Sequence, residues 1–311
     1  MNLSEMATEV ATTIAVIRGG SASEREVSLR SGAAIITALH SANMPVVDWT
    51  INQLSDVLDL LAVAPRPLIV FNALHGKGGE DGQLQALLDI MQVPYTGSGM
   101  LASAIAMDKV LTKRLWREMG LPTADYFVVT RENMAILMAQ PLTYPIMVKP
   151  ACEGSSIGMF KVDSVEQLQA AVENALSFDN HVLLESWIDG DEYTIAILGD
   201  VALPMIRLKT PNSFYDFEAK YQANTTEYLC PCGLDSEAEA QFQALAMSAF
   251  RALDAKVWGR VDLMVDRKGQ PWLLELNTVP GMTDHSLVPM AAKAAGIEFV
   301  ALIQRILALS V

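Results

Sequence analysis

The order of the first hundred residues constrains this chain most, because apolar strand-like runs alternate there with helical stretches. "TTIAVIRGG" leads into a helical pattern from about Ser23 to Ala42, then "MPVVDWTI", a helix near 53–63, "PLIVFNALHG" and a helix near 82–92. Strands separated by helices pair side by side in one direction, so this stretch predicts a parallel, Rossmann-like sheet with helices on both faces. A long helix is expected from about Gly99 to Met119, ended by Gly120 and Pro122. The strands "DYFVVT", "YPIMVKP", "MFKVD" and "HVLLESWI" follow, with a helix near 165–177 among them. From "DEYTIAIL" onward the chain is strand-rich, with helices near 236–253, 287–295 and 298–309. The reading is an α/β protein of three units, residues 1–97, 98–184 and 185–311, and 311 residues suit that number.

Composition excludes several classes of function. Apolar residues at 51% and charged residues at 19% describe a chain that folds to a core. No apolar run is long enough to span a bilayer, and the N-terminus lacks the basic start and cleavage site of an export signal. Cys152, Cys230 and Cys232 form an odd set without zinc spacing, so reduced thiols in a cytoplasm are expected. The net charge of -14 argues against nucleic acid and anionic membranes as partners. Any phosphate site must therefore gather its basic groups locally.

Two stretches carry chemistry. In "WLLELNTVPGMTDHS" strand alternation puts Glu275 and Asn277 on one face and Leu274 and Leu276 on the other. Upstream, in "GRVDLMVD", Arg260, Asp262 and Met264 share a face. A hairpin with Lys268-Gly269 as a two-residue loop pairs Asp262 with Glu275. Three oxygen donors then meet beside Arg260 in apolar surroundings, a low count of hard ligands that suits Mg²⁺. A solvated polar sheet face is the alternative, and the neighbouring Leu, Met, Val and Trp residues disfavour it.

The second stretch is "VKPACEGSSIGMFKV", a small-residue loop whose backbone N–H groups can cradle phosphate, with Lys149 just before it. It lacks the P-loop pattern, and alone it reads equally as a hairpin turn. Lys109 in "AMDKVLTKRLW" is ambiguous, since a helix lysine is usually solvated. Glu185 and Glu192 in "LLESWIDGDE" either hold adenine and ribose groups or face water.

Taken together, "GGSASEREVSLRSG", "ALHGKGGEDGQLQ", "VPYTGSG", "MDK", "VKPACEGSSIGM", "FYDFEAKY", "WGRVDLMVD" and "ELNTVPGMTDHSLVPMAA" resemble the ATP-grasp carboxylate–amine ligases. Within them, the chain is similar to the D-alanine–D-alanine ligase family from Gly19 to Ala292. The resemblance implies a three-domain ATP-grasp fold and the ATP-dependent joining of two D-alanines for peptidoglycan synthesis. It implies that Lys109 and Lys149 contact ATP phosphates, and that Glu185, Trp187, Ile188, Glu192 and Phe214 line the nucleotide pocket. Asp262, Glu275 and Asn277 are then the ligands of two Mg²⁺ or Mn²⁺ ions. Glu24 would hold the first D-alanine's ammonium in a set with Ser155 and Tyr221, although Ser21-x-x-Glu24 also reads as a helix capping box. Arg260 and the Gly281 backbone would stabilise the oxyanion, and Ser286 and Leu287 would receive the second substrate's carboxylate at a helix start. His75 and Lys220 are assigned to the substrate side, and a homodimer is expected.

Arg18, Ala86, Val279 and Cys232 depart from the family's pattern without removing an expected ligand. The stretch from about Lys209 to Cys230 lacks regular periodicity and holds Phe214, Tyr215 and Phe217, so a closing lid is expected there.

Overall fold

A computed structural model describes residues 13–63, 65–138, 140–210, 226–283 and 285–311. Its first unit runs β1 (Ile14–Gly19), α1 (Arg25–Ser41), β2 (Val46–Ile51), α2 (Asp56–Val63), β3 (Ile69–Asn72) and α3 (Gln83–Ile90). The strands form a parallel sheet in the order β2-β1-β3, with Ile14 opposite both Val46 and Ile69. Strand alternation decides which helix covers which face. Ile14 and Val16 pack with Ile35 and Leu39 of α1, while Ala15 and Ile17 pack with Leu84 and Leu88 of α3.

Where one helix is expected from 99 to 119, there are two, α4 (Met100–Met107) and α5 (Lys109–Glu118). Asp108 breaks them: its backbone is extended (φ -89°, ψ 102°) and its carboxylate accepts from the Val110 and Leu111 N–H groups. A short acidic side chain competing for the free N–H groups of a helix start favours that break. It also places Lys109 on the first turn of α5.

The middle of the chain supplies β4 (Tyr126–Val129), α6 (Met134–Met138), β5 (Ile146–Pro150), β6 (Phe160–Val162), α7 (Val165–Ala175) and β7 (Val182–Ser186). The sheet is antiparallel, ordered β4-β7-β5-β6. Its core lies under α7, where Leu168 and Val172 meet Ile146, Val148, Val162 and Leu184.

The last unit holds β8 (Gly190–Leu198), β9 (Val201–Ala202), β10 (Ile206–Lys209), β11 (Glu227–Leu229), α8 (Ser236–Ala252), β12 (Trp258–Asp266), β13 (Pro271–Asn277), α9 (Leu287–Ala294) and α10 (Phe299–Leu309). Its antiparallel sheet is ordered β11-β10-β8-β12-β13, with β9 on β8. One large core joins this unit to the first: Ile14, Ile35, Leu39 and Phe71 pack with Leu198, Trp258, Val288, Leu302 and Ile306.

The β12–β13 hairpin differs from expectation in its loop. Asp266 N–H donates to the Gln270 carbonyl (2.9 Å) and Gly269 has φ +80°, so the loop holds three residues. Pairing next to it sets Leu263 opposite Leu273, yet Asp262 still faces Glu275. A bulge on β13 absorbs the difference, leaving Leu274 as the extra residue. Leu273 and Leu276 consequently share the core side, while Leu274 lines a cleft with Glu275. The expected Leu274/Leu276 face is corrected by that one added residue.

Arg18 also gains an explanation. Its stem lies where α1 presents Gly32, whose added Cβ would sit 2.5 Å from the Arg18 Cδ. Its guanidinium donates to Asp48 (Nε, 2.9 Å), Thr50 (3.0 Å) and the Leu29 carbonyl (3.0 Å).

Candidate active site

Two cavities meet at β13. The first, about 220 Å³, lies between the four-stranded and six-stranded sheets and is lined by Lys109, Lys149, Glu185, Trp187, Ile188 and Glu192, among others. Glu185 stands opposite Met147, so Lys149, two residues along β5, shares its sheet face. The Lys149 ammonium pairs with Glu185 Oε2, and the carboxylate's other oxygen pairs with Lys113. Burial works against ionising Glu185, but the two lysines hold its carboxyl below the usual range. Trp187 has the Lys161 ammonium 4.9 Å from its ring centre.

Lys109 is buried, not solvated, because the helix break aims it inward. Its ammonium donates to the Glu153 carbonyl (2.6 Å) and lies 3.6 Å from Glu275 Oε2. It thus ties the glycine-serine loop to the acidic hairpin. That loop is conformationally costly, since Ser155 and Ser156 both have positive φ (54° and 59°) in a region non-glycine residues avoid.

On the hairpin, Asp262 faces Glu275 and Arg260 faces Asn277. Asp262 accepts from Arg260 Nε (2.9 Å) and Nη2 (2.7 Å), from Asn277 Nδ2 (3.0 Å) and from Thr194 on β8 (2.5 Å). Among the described residues no three His, Cys, Asp or Glu side chains converge as a metal cluster. Two carboxylates and one amide remain, a small set of hard oxygen donors at a cleft edge. That chemistry fits a divalent cation completing its shell with water and phosphate oxygens.

The second cavity, about 780 Å³, lies further along the same face of the β12–β13 hairpin. Glu24, His75, Ser155, Arg260, Gly281 and Ser286 line it, as do Asn277 and Leu287. Glu275 lines both cavities. The capping box from Ser21 is absent: Glu24 itself is the N-cap residue, and its carboxylate reaches across the fold to accept from the Ser155 hydroxyl. An added Cβ on Gly154 would come within 3.2 Å of that carboxylate, so glycine allows the approach.

His75 has a fixed tautomer. Its Nδ1 lies 2.9 Å from the Val279 carbonyl, which can only accept, so Nδ1 carries the proton. Its Nε2 meets Ser31 Oγ at 3.1 Å, and that oxygen accepts from the Met282 N–H (3.1 Å). Ser286 N-caps α9 with extended backbone, and its Oγ accepts from the Thr283 N–H (2.9 Å). Leu287 is the first residue of that helix.

The expected residues therefore divide between two adjoining cavities, except Phe214, Lys220 and Tyr221, which lie outside the described residues, as does most of the expected lid. Sequence reasoning missed Lys113, Thr194, Ser31 and Glu80. Glu80 lies 3.4 Å from His75 Nδ1, and its carboxyl is raised above the usual range by burial, against the pull of His75 and with the push of Glu24. Ser31 and Glu80 both fall inside quoted motifs, a signal that was there to use. Lys113 offered none, since one lysine a helical turn after another reads as solvent-facing.

A cleft held between two antiparallel sheets, next to a parallel-sheet unit, is the ATP-grasp architecture. A family model described as D-ala D-ala ligase C-terminus matches residues 115–308, and one described as D-ala D-ala ligase N-terminus matches residues 46–98. The chain belongs to the D-alanine–D-alanine ligase family. It is 54% identical to the D-alanine–D-alanine ligase of Nitrosococcus oceani, over 96% of this chain and 93% of that one. Against the enzyme of Hydrogenovibrio crunogenus the identity is 52%, over 96% and 94%. Among solved structures, the ATP complex of the Bacillus anthracis D-alanine–D-alanine ligase aligns with a TM-score of 0.82 at 32% identity, covering 96% of this chain and 97% of that one. The VanG D-Ala:D-Ser ligase of Enterococcus faecalis aligns at 0.86 and 28% identity, covering 97% and 100%.

Proposed function

We propose that this chain joins two D-alanines at the expense of ATP, through a D-alanyl phosphate, for peptidoglycan synthesis. The observation that carries the reading is Glu275 lining both cavities, which supports an acidic hairpin shared by a nucleotide on one side and an amino-acid carboxylate on the other. Lys109 and Lys149 take ATP phosphates, and Glu185, Trp187, Ile188, Glu192 and Phe214 take the nucleoside. Asp262, Glu275 and Asn277 would hold two Mg²⁺ or Mn²⁺ ions, which when bound neutralise the transferring phosphoryl group.

A carboxylate is a poor electrophile until its oxygen becomes a good leaving group. The first D-alanine, its ammonium on Glu24 within the Ser155 and Tyr221 set, attacks the γ-phosphorus through its carboxylate oxygen and ADP leaves. The second D-alanine sits with its carboxylate at Ser286 and Leu287, near His75 and Lys220. Its neutral amine attacks the acyl carbon, Arg260 and the Gly281 N–H stabilise the oxyanion, and phosphate departs. Of the expected lid, Lys209 and Glu227–Leu229 belong instead to paired strands of the six-stranded sheet. Exclusion of the water that would hydrolyse the acyl phosphate is proposed for the part between them, outside the described residues.

The reading extends to three units, residues 1–97, 98–184 and 185–311, each built around one sheet, with the end of β7 passing the second boundary. It also includes a cytoplasmic homodimer; exposed Ile90, Met100 and Leu101 on the packed helices α3 and α4 support an apolar contact. Sedimentation should then give twice the mass of one chain. ADP release with a panel of D- and L-amino acids, plus product analysis with D-alanine and excess D-lactate, tests the function. Dipeptide from D-alanine alone is expected. Depsipeptide as the main product, or ADP release with an L-amino acid instead, contradicts the reading.

A further inference from the structure

The least expected charge in the molecule is Lys113, which has no exposed side-chain surface. It projects from α5 into the seam between the four-stranded and six-stranded sheets. There its ammonium meets Glu185 of β7 and donates to Thr123 Oγ1, which donates to the Leu273 carbonyl of β13 (2.9 Å). Glu185 is itself almost fully buried and also carries Lys149. Two ammonium groups thus share one carboxylate, leaving one positive charge in excess. Lys149 lines the nucleotide cleft, whereas Lys113 does not.

Consider the same site without Lys113. Glu185 would have one counter-ion, Lys149, and a buried one-to-one pair presents little net charge to a phosphate. With Lys113 in place, the carboxylate is already neutralised from behind. We propose that Lys113 is a positioning residue that neutralises Glu185 from the buried side, so that the Lys149 ammonium keeps its charge for the nucleotide's phosphates. The inference rests on the nucleotide reading above and extends it to a residue that never touches the ligand.

Among the described residues, the other charged and titratable groups facing Lys113 are Lys149 of β5, Arg117 one turn along α5 and the Tyr126 ring of β4, 5.9 Å from the ammonium. Burial, opposed by Glu185, pushes the Lys113 pKa down to about 8. It carries its proton below that pH and loses it above.

The test compares ADP with adenosine, which lacks phosphates, by calorimetry on the full-length protein. Wild type should bind ADP more tightly than adenosine; if it does not, the nucleotide reading itself fails. In Lys113→Met the preference should shrink on the order of tenfold or more, with adenosine affinity unchanged. Lys113→Arg should restore it. The double variant Lys113→Met with Glu185→Gln removes both buried charges and should regain most of the ADP preference, which a packing defect would not do. Should Lys113→Met fail to fold, that charge-balanced variant still decides. An ADP preference unchanged by Lys113→Met, or absent from the double variant, overturns the proposal.

Discussion

The two cavities are built on different kinds of support. The larger cavity, proposed for the amino acids, rests mainly on the first and last units, with Gly154 and Ser155 of the middle unit at its edge. The first and last units share one apolar core from Ile14 and Phe71 through Trp258 to Ile306. The nucleotide cleft instead has one wall from the four-stranded sheet, whose core under α7 is separate. That wall meets the rest of the molecule through a small apolar cluster of Val110, Ala151 and Leu183 and through polar links: Lys113 to Glu185, and Lys109 to both Glu153 and Glu275. A shared apolar core resists relative movement because opening it exposes hydrophobic area, whereas hydrogen-bonded seams exchange partners at lower cost. A frame with one shared apolar core therefore carries most of the larger cavity, and a wall held largely by polar links, a jaw, faces the smaller.

Core truncation on each side is the strongest way to break that contrast. Trp258 packs on Phe71 across the shared core, with ring centres 6.2 Å apart. Trp258→Ala should cost about 3–5 kcal/mol. Amide exchange should rise together in β1, β3 and β12. Leu168→Ala, in the separate core, should cost about 2–5 kcal/mol. Exchange should then rise in β5, β6 and β7 while β1 and β12 stay protected. Equal loss of protection everywhere in both variants would make the molecule one cooperative body.

Glu275→Gln probes the place where frame and jaw meet. Removing a charge that lines both cavities should lower kcat by on the order of hundredfold or more, with the melting temperature little changed. Near-wild-type turnover at low Mg²⁺ would remove Glu275 from the metal set.

Arg18 lies in the frame but outside the shared core, and it should matter least. Its ion pair with Asp48 is partly exposed, 20% and 39%, so Arg18→Leu should shift stability by no more than about 1 kcal/mol. A larger loss, with a raised KM for D-alanine, would show that Arg18 anchors the turn carrying Glu24.

Most of the frame could be read in the sequence, since strand and helix periods in the first hundred residues dictate a parallel sheet. The Asp262–Glu275 pairing was legible too, although a bulge and a longer loop offset each other to produce it. Two adjacent leucines, Leu273 and Leu274, fit the core equally well by pattern, so the bulge was hidden. The break at Asp108 was hidden because "AMDKVLTKRLW" has helical character on both sides of one capping residue. Lys113 was invisible for a physical reason: a buried lysine needs a partner distant in sequence, and Glu185 lies 72 positions away.

Under the proposed function, phosphate passes from ATP to the first D-alanine's carboxylate before the peptide bond forms. D-alanine labelled with ¹⁸O in its carboxylate tests it directly, with the released phosphate read by mass spectrometry. Activation through an acyl phosphate predicts one labelled oxygen in the phosphate for each dipeptide made. Dipeptide formed with unlabelled phosphate would contradict it.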